Sequence, residues 1–233
     1  SHYEYGSRVG HWRLLDVLRE CKIPATYFAV SSALEKHPEA ARSIVQEGHE
    51  VVSHGARWID YDTVDCETES QHMKQSLDSI ERLCGVRPVG WYTGRVSMNT
   101  RALAQKQGLL YDSDAYNDDL PYWTKANNFP HLVLPYTFDC NDMRFASAPG
   151  FNTPDDFIVH LQRTLDCLRR ESKTYPKMMS IGLHLRLVGR PGRAQALREF
   201  LLRATHHDDI WFCRRQDIAQ FWVEHFPAST ELS

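Results

Sequence analysis

Several features are missing from this 233-residue sequence, and each absence closes off a class of function. No two of its six cysteines (Cys21, Cys66, Cys84, Cys140, Cys167 and Cys213) are spaced Cys-x-x-Cys, so zinc-finger and thiol-redox readings have nothing to rest on. Reduced thiols packed inside a cytoplasmic protein account for them, with the disulfides of a secreted protein as the alternative. No apolar run approaches the roughly 20 residues that span a membrane. The opening Ser1-His2-Tyr3-Glu4-Tyr5-Gly6 has neither the basic start nor the apolar stretch of a signal peptide. There is no cationic excess: 27 Lys and Arg against 30 Asp and Glu leave a net charge of -3, which argues against nucleic acid or an anionic membrane as partner. Phosphate-cradling glycine motifs, internal repeats and low-complexity linkers are also lacking. The expectation is a cytoplasmic protein whose partner is a small-molecule substrate.

What is present is an alternation of strand-like and helix-like segments, with 42% hydrophobic residues to build a core. Short apolar or β-branched runs occur at residues 25–30, 50–53, 89–92, 109–111, 132–136, 178–183 and 210–213. Between most of them lie residues with helical spacing: Trp12, Leu15 and Leu18; Ala41, Ile44 and Val45; Leu77, Ile80 and Leu83; Phe157, Leu161, Leu165 and Leu168; Leu197, Phe200 and Leu201. Pro38 and Thr153-Pro154-Asp155 mark helix starts, and Gly48 marks a helix end. Such alternation means a parallel sheet covered by helices. Seven strands predict an α/β fold of the distorted (β/α) barrel type, in one domain over residues 1–233.

In a parallel barrel the chemistry gathers after the carboxyl ends of the strands. The residues standing there are polar: His54; Arg95; Asp112 and Asp114; Asp139, Asn141 and Asp142; His184 and Arg186; Arg214. A single histidine or carboxylate at a strand end is more often structural. Two histidines with several carboxylates and arginines suit acid–base hydrolysis with an anion-stabilising partner. Asp118 and Asp119 read equally as a solvated turn before Pro121. His206-His207-Asp208-Asp209 precedes the last run, at the wrong end for a site, and reads as a solvated loop.

Five segments carry a resemblance: Tyr3-Glu4-Tyr5-Gly6-Ser7-Arg8; Ser53-His54-Gly55-Ala56-Arg57-Trp58-Ile59-Asp60-Tyr61; Gly90-Trp91-Tyr92-Thr93-Gly94-Arg95; Tyr111-Asp112-Ser113-Asp114 with Asp118-Asp119-Leu120-Pro121-Tyr122-Trp123; and Ile181-Gly182-Leu183-His184-Leu185-Arg186-Leu187-Val188-Gly189-Arg190-Pro191. In order and spacing the sequence resembles the polysaccharide deacetylase (NodB-homology) superfamily, and within it the branch of metal-independent allantoinases, which open the hydantoin ring of allantoin. The resemblance implies a first strand bearing an Asp-Asp pair. No such strand precedes the opening helix, so the domain reads as N-terminally incomplete. It also implies a metal held through His-x-x-x-His. His54 matches the first of these, but Trp58 stands at the second, and an indole cannot ligate zinc. His184 matches the histidine that acts as general acid.

The expected activity is therefore hydrolysis of carbon–nitrogen bonds, as an allantoinase-like cyclic amidohydrolase. His54, His184 and Asp112 are the expected catalytic residues. Trp58, Arg95, Asp114, Asp118, Asp119, Asn141, Asp142, Arg186 and Arg190 are expected around the substrate. No metal or other cofactor is expected, and the resemblance suggests a homo-oligomer. Two alternatives stand beside this: a polysaccharide or chitin N-deacetylase using zinc or another divalent metal, and an inactive member that binds a metabolite or serves as a structural subunit.

Overall fold

A computed structural model describes residues 1–229. In chain order the elements are α1 (His2–Tyr5), α2 (His11–Cys21), β1 (Thr26–Ala29), α3 (Ser31–Lys36), α4 (Pro38–Gln46), β2 (Glu50–Ser53), α5 (Cys66–Cys84), β3 (Gly90–Trp91), α6 (Thr100–Lys106), β4 (Tyr111–Asp112), β5 (Tyr122–Ala126), β6 (Phe129–Val133), α7 (Pro154–Glu171), α8 (Pro191–Ala204) and α9 (Arg215–His225). A π-helical turn, Gly6–Gly10, joins α1 to α2. No helix among the described residues is long and apolar enough to cross a membrane. The chain divides into two compact units: residues 1–23 with 136–212, and residues 24–135 with the described residues from 213 onward.

The second unit holds the sheet, in the order β1-β2-β3-β4-β6-β5. β1, β2, β3, β4 and β6 run parallel, and β5 pairs antiparallel with β6 from Tyr122↔Val133 to Ala126↔Phe129. The α/β class with a mostly parallel sheet is as expected. The expectation of about seven parallel strands needs correction in three places. β5 is an antiparallel edge strand, made possible because Asn127 and Asn128 both take positive φ and close a two-residue hairpin. Residues 178–183 contribute only an isolated bridge, Asn141↔Gly182. Residues 210–213 form no strand. Within this sheet β1 and β5 are the edges, each with one strand neighbour, and the strands do not close on themselves.

Burial explains the helices. Ala41, Ile44 and Ile80, from α4 and α5, pack on Ala29 and Val51 of the strands. Met73 and Leu77 pack with Trp91, Leu103 and Ala104. Ala219 of α9 joins Val52, Tyr111, Leu132 and Leu134. Each fully buried Leu or Ile contributes about 1.5–3 kcal/mol, which fixes which helix face turns inward.

In the first unit, α7 opens with a capping box in which Thr153 Oγ1 accepts from Asp156 N, while the Asp156 carboxylate accepts from Thr153 N at 2.8 Å. Gly10 and Gly189 let two backbones meet: a Cβ on either would collide with the Leu185 carbonyl oxygen. This close approach fixes the loop that follows His184. Arg13 adds to it, donating from Nη1 to the Gly189 carbonyl and, at 2.7 Å, to Tyr5 Oη.

Candidate active site

The first unit presents a buried carboxylate and a half-buried histidine in direct contact. Asp142 is 0% exposed. It accepts from the backbone N of His184 at 3.0 and 2.9 Å and of Val188 at 2.9 Å, and its Oδ1 lies 2.7 Å from His184 Nδ1. The bridge that sets this up is Asn141↔Gly182, with Asp142 N donating to the Gly182 carbonyl and Gly182 N to that of Cys140. Asn141 is itself tied down, giving Nδ2 to the Thr137 carbonyl and taking Met143 N on Oδ1. A Cβ at position 182 would run into the Asn141 amide and the Tyr136 hydroxyl, so glycine is required for this approach. A carboxylate facing Nδ1 favours the Nδ1–H tautomer, leaving Nε2 as the proton-handling atom. No protein group among the described residues bonds Nε2.

The second unit gathers its polar residues after β2, β3 and β4. His54 directly follows β2, its N donating to the Ala29 carbonyl, and its ring stands edge-on to Tyr92 at 5.1 Å. Trp58 is 49% exposed, and the Arg95 guanidinium lies over its ring at 4.7 Å. Asp112, at the end of β4, is buried and fully engaged: Arg101 Nε and Nη2 donate at 2.7 and 3.1 Å, His131 Nε2 lies at 3.0 Å, and Asp114 N donates at 3.0 Å. Burial alone would raise the Asp112 carboxyl, but the bonds from His131 and Arg101 outweigh it and hold it below the ordinary carboxylate range. Asp114 accepts from Thr93 N and Gly94 N, the latter at 2.6 Å. Burial nevertheless pushes it up to about 7, helped by the charge of Asp112 next to it.

Other expected positions are more ordinary. Asp118 closes a local turn by accepting Leu120 N at 3.0 Å, and Asp119 is exposed beside it. Asp208 is exposed and the Asp209 carboxylate holds Arg169, so the His206–Asp209 stretch contains an ordinary surface ion pair. Arg186 and Arg190 line a cavity of the first unit with Arg193. Sequence reading missed Arg101, His131 and Arg215. Arg215 is buried, donating to Ser113 Oγ and to the Pro135 carbonyl. Arg101 lies in a helix and His131 within a strand, so the rule that selects residues after strand ends passed over them, while Arg215 was overlooked beside Arg214.

Among the described residues one group of three metal-capable side chains comes together: Asp139, Cys140 and His160, with ligand atoms within 4.8 Å of one another. It suits a metal poorly. Asp139 already holds His160 Nε2 at 2.9 Å and faces Arg144, and burial pushes the Cys140 thiol up, away from the thiolate that ligates.

Comparison with known proteins identifies the family. Residues 2–111 match the family model for polysaccharide deacetylase. A Schizosaccharomyces pombe protein assigned to the polysaccharide deacetylases is 41% identical over 245 residues, spanning 97% of this chain and 77% of that protein. A Pseudomonas aeruginosa PAO1 crystal structure, also assigned as a polysaccharide deacetylase, is 50% identical with a TM-score of 0.95, covering 98% of this chain and 77% of that one. The crystal structure of PuuE allantoinase is similar to the same degree, at 50% identity, a TM-score of 0.95 and the same coverage. With a relative above 40% identity along nearly its whole length, this chain belongs to the polysaccharide deacetylase family, whose members are hydrolases of carbon–nitrogen bonds.

Proposed function

We propose that this chain opens a cyclic ureide, such as the hydantoin ring of allantoin, by hydrolysing a ring amide bond. The observation that carries the reading is the pairing of His184 with Asp142, supported by 50% identity to an allantoinase. Water attacks the ring carbonyl carbon and passes a proton to His184 Nε2. The C–N bond then breaks, and the departing nitrogen takes a proton back from the same imidazolium. Asp142 holds the ring in place and stabilises its protonated form. His54 and Arg95 belong to the other unit and are given no step in this scheme. Asp112, committed to Arg101 and His131, is assigned a positioning role.

N-deacetylation of polysaccharides is the second reading, favoured by the assignments of the S. pombe and P. aeruginosa relatives. The family resemblance implies a divalent metal held by His54 and a histidine at position 58. The residues here do not fit that ion. Trp58 offers no ligand atom, a guanidinium sits over its ring, and among the described residues His54 belongs to no group of three donors.

Hydrolysis of allantoin by the purified protein, before and after exhaustive chelation, tests the proposal. Turnover that survives chelation is expected. No turnover on allantoin, with zinc-restored acetate release from an N-acetylglucosamine oligomer, would hand the assignment to the deacetylase.

A further inference from the structure

The first unit carries a concentration of positive charge that proton transfer leaves unused. Arg186, Arg190 and Arg193 line one open cavity of about 540 Å³, together with His2, Phe145 and Pro154, and no acidic residue lines it. Each guanidinium lies over an aromatic ring: Arg186 over Tyr3 at 4.8 Å, Arg190 over Tyr5 at 3.6 Å and Arg193 over Phe145 at 4.0 Å. Stacking of this kind steadies the planar group while leaving its N–H donors available. Their remaining contacts are weak. Arg186 Nη2 meets Met143 Sδ at 3.6 Å, and Arg193 Nη1 meets the Leu187 carbonyl at 3.4 Å.

Elsewhere in the same unit four arginines hold carboxylates, though not every one does: Arg19 with Asp16, Arg144 with Asp139, Arg169 with Asp209 and Arg198 with Glu20. Among the described residues, none of the three cavity arginines does. Gathering them around one cavity without counter-charge is unfavourable, and a bound oxyanion reverses the sign of that interaction. The N-terminus of α8 adds to the same field, since Arg190 is its N-cap residue, no side chain caps it and its first turn contains no acid.

We propose that Arg186, Arg190 and Arg193 form a binding site for a small, multiply charged oxyanion of the phosphate or dicarboxylate class. Guanidinium forks match both chemistries bidentately. The site is independent of the ring-opening reading, because its test reads binding and not turnover.

The test is calorimetric titration of the full chain with inorganic phosphate and, separately, with succinate, against sodium chloride at matched ionic strength. Saturable binding of either anion is expected, and whichever binds tighter identifies the class. Arg190→Gln and Arg193→Gln variants with an unchanged circular dichroism spectrum should each bind about tenfold more weakly, the loss of one charge-assisted hydrogen bond. Should the variants not fold, phenylglyoxal labelling of the unaltered protein decides. Phosphate or succinate should slow modification of Arg186, Arg190 and Arg193 and leave exposed Arg42 unaffected. Binding no stronger than that of matched chloride, equal affinity in the variants, or unprotected arginines would each overturn the proposal.

Discussion

Each unit of the molecule buries an aspartate against a histidine, and the two pairs are finished differently. In the sheet-bearing unit, Asp112 meets His131, which is 2% exposed, and Arg101 closes the remaining carboxylate positions. In the other unit, Asp142 meets His184, which is half-buried, and the rest of the carboxylate is taken up by the backbone N–H groups of His184 and Val188. The chemical pair is the same. In the first, every polar atom of the carboxylate is spent on fixing β4 against β6 and α6. In the second, the backbone satisfies the carboxylate and leaves the imidazole one working face. The two pairs differ in access to the second ring nitrogen, and the proposed role of His184 rests on that difference.

The largest effect that follows is on turnover. His184→Ala is expected to lower kcat on allantoin about 100- to 10,000-fold, the range for loss of a general acid–base group, with little change in Tm. Asp142→Asn should cost less than that in kcat while leaving KM nearly unchanged, because it disturbs orientation rather than substrate contact. Next comes stability. Arg101→Ala strands one side of a buried carboxylate and is expected to cost about 3 kcal/mol, measured by urea denaturation. Asp112→Asn in the same background should recover part of that loss.

Stability also depends on pH, and the two carboxylates after β4 work in opposite directions. Asp112 titrates below its ordinary range in the folded state, so its stabilisation is present above about pH 4 and is lost as pH falls through the folded value. Asp114 titrates near 7 when folded, far above its ordinary value. Its contribution is therefore full below about pH 4 and is lost as pH rises through 7. Tm measured from pH 5 to 8 should fall with this component, and Asp114→Asn should flatten that part of the curve. An unchanged slope would contradict the assignment.

Much of this architecture was legible in the sequence, for physical reasons that differ by element. The run at residues 50–53 is β2 to the residue, since a strand covered on both faces must be apolar throughout its middle. Thr153-Pro154-Asp155 announced the start of α7 by the proline in its first turn. β5 was missed because Tyr122–Ala126 mixes aromatic, hydroxyl and charged residues at an edge, although the Asn127-Asn128 pair was a readable hairpin signal. Residues 178–183 misled because apolar composition says a segment is covered, not that it pairs.

The site shows the same limit. His184 and Asp142 each stood at a recognisable place, but that they touch depends on a bridge between segments about forty residues apart. The Arg101–Asp112–His131 cluster joins a helix and two strands, a meeting that no local pattern encodes.

If the open pair is catalytic and the closed pair structural, the two histidines answer differently to the same truncation. The most direct measurement compares His184→Ala and His131→Ala side by side for allantoin turnover, at a temperature where circular dichroism shows both folded. His131→Ala is expected to keep most of its turnover at a lowered Tm, while His184→Ala is expected to keep its Tm and lose its turnover. Turnover lost in His131→Ala and retained in His184→Ala would contradict that expectation.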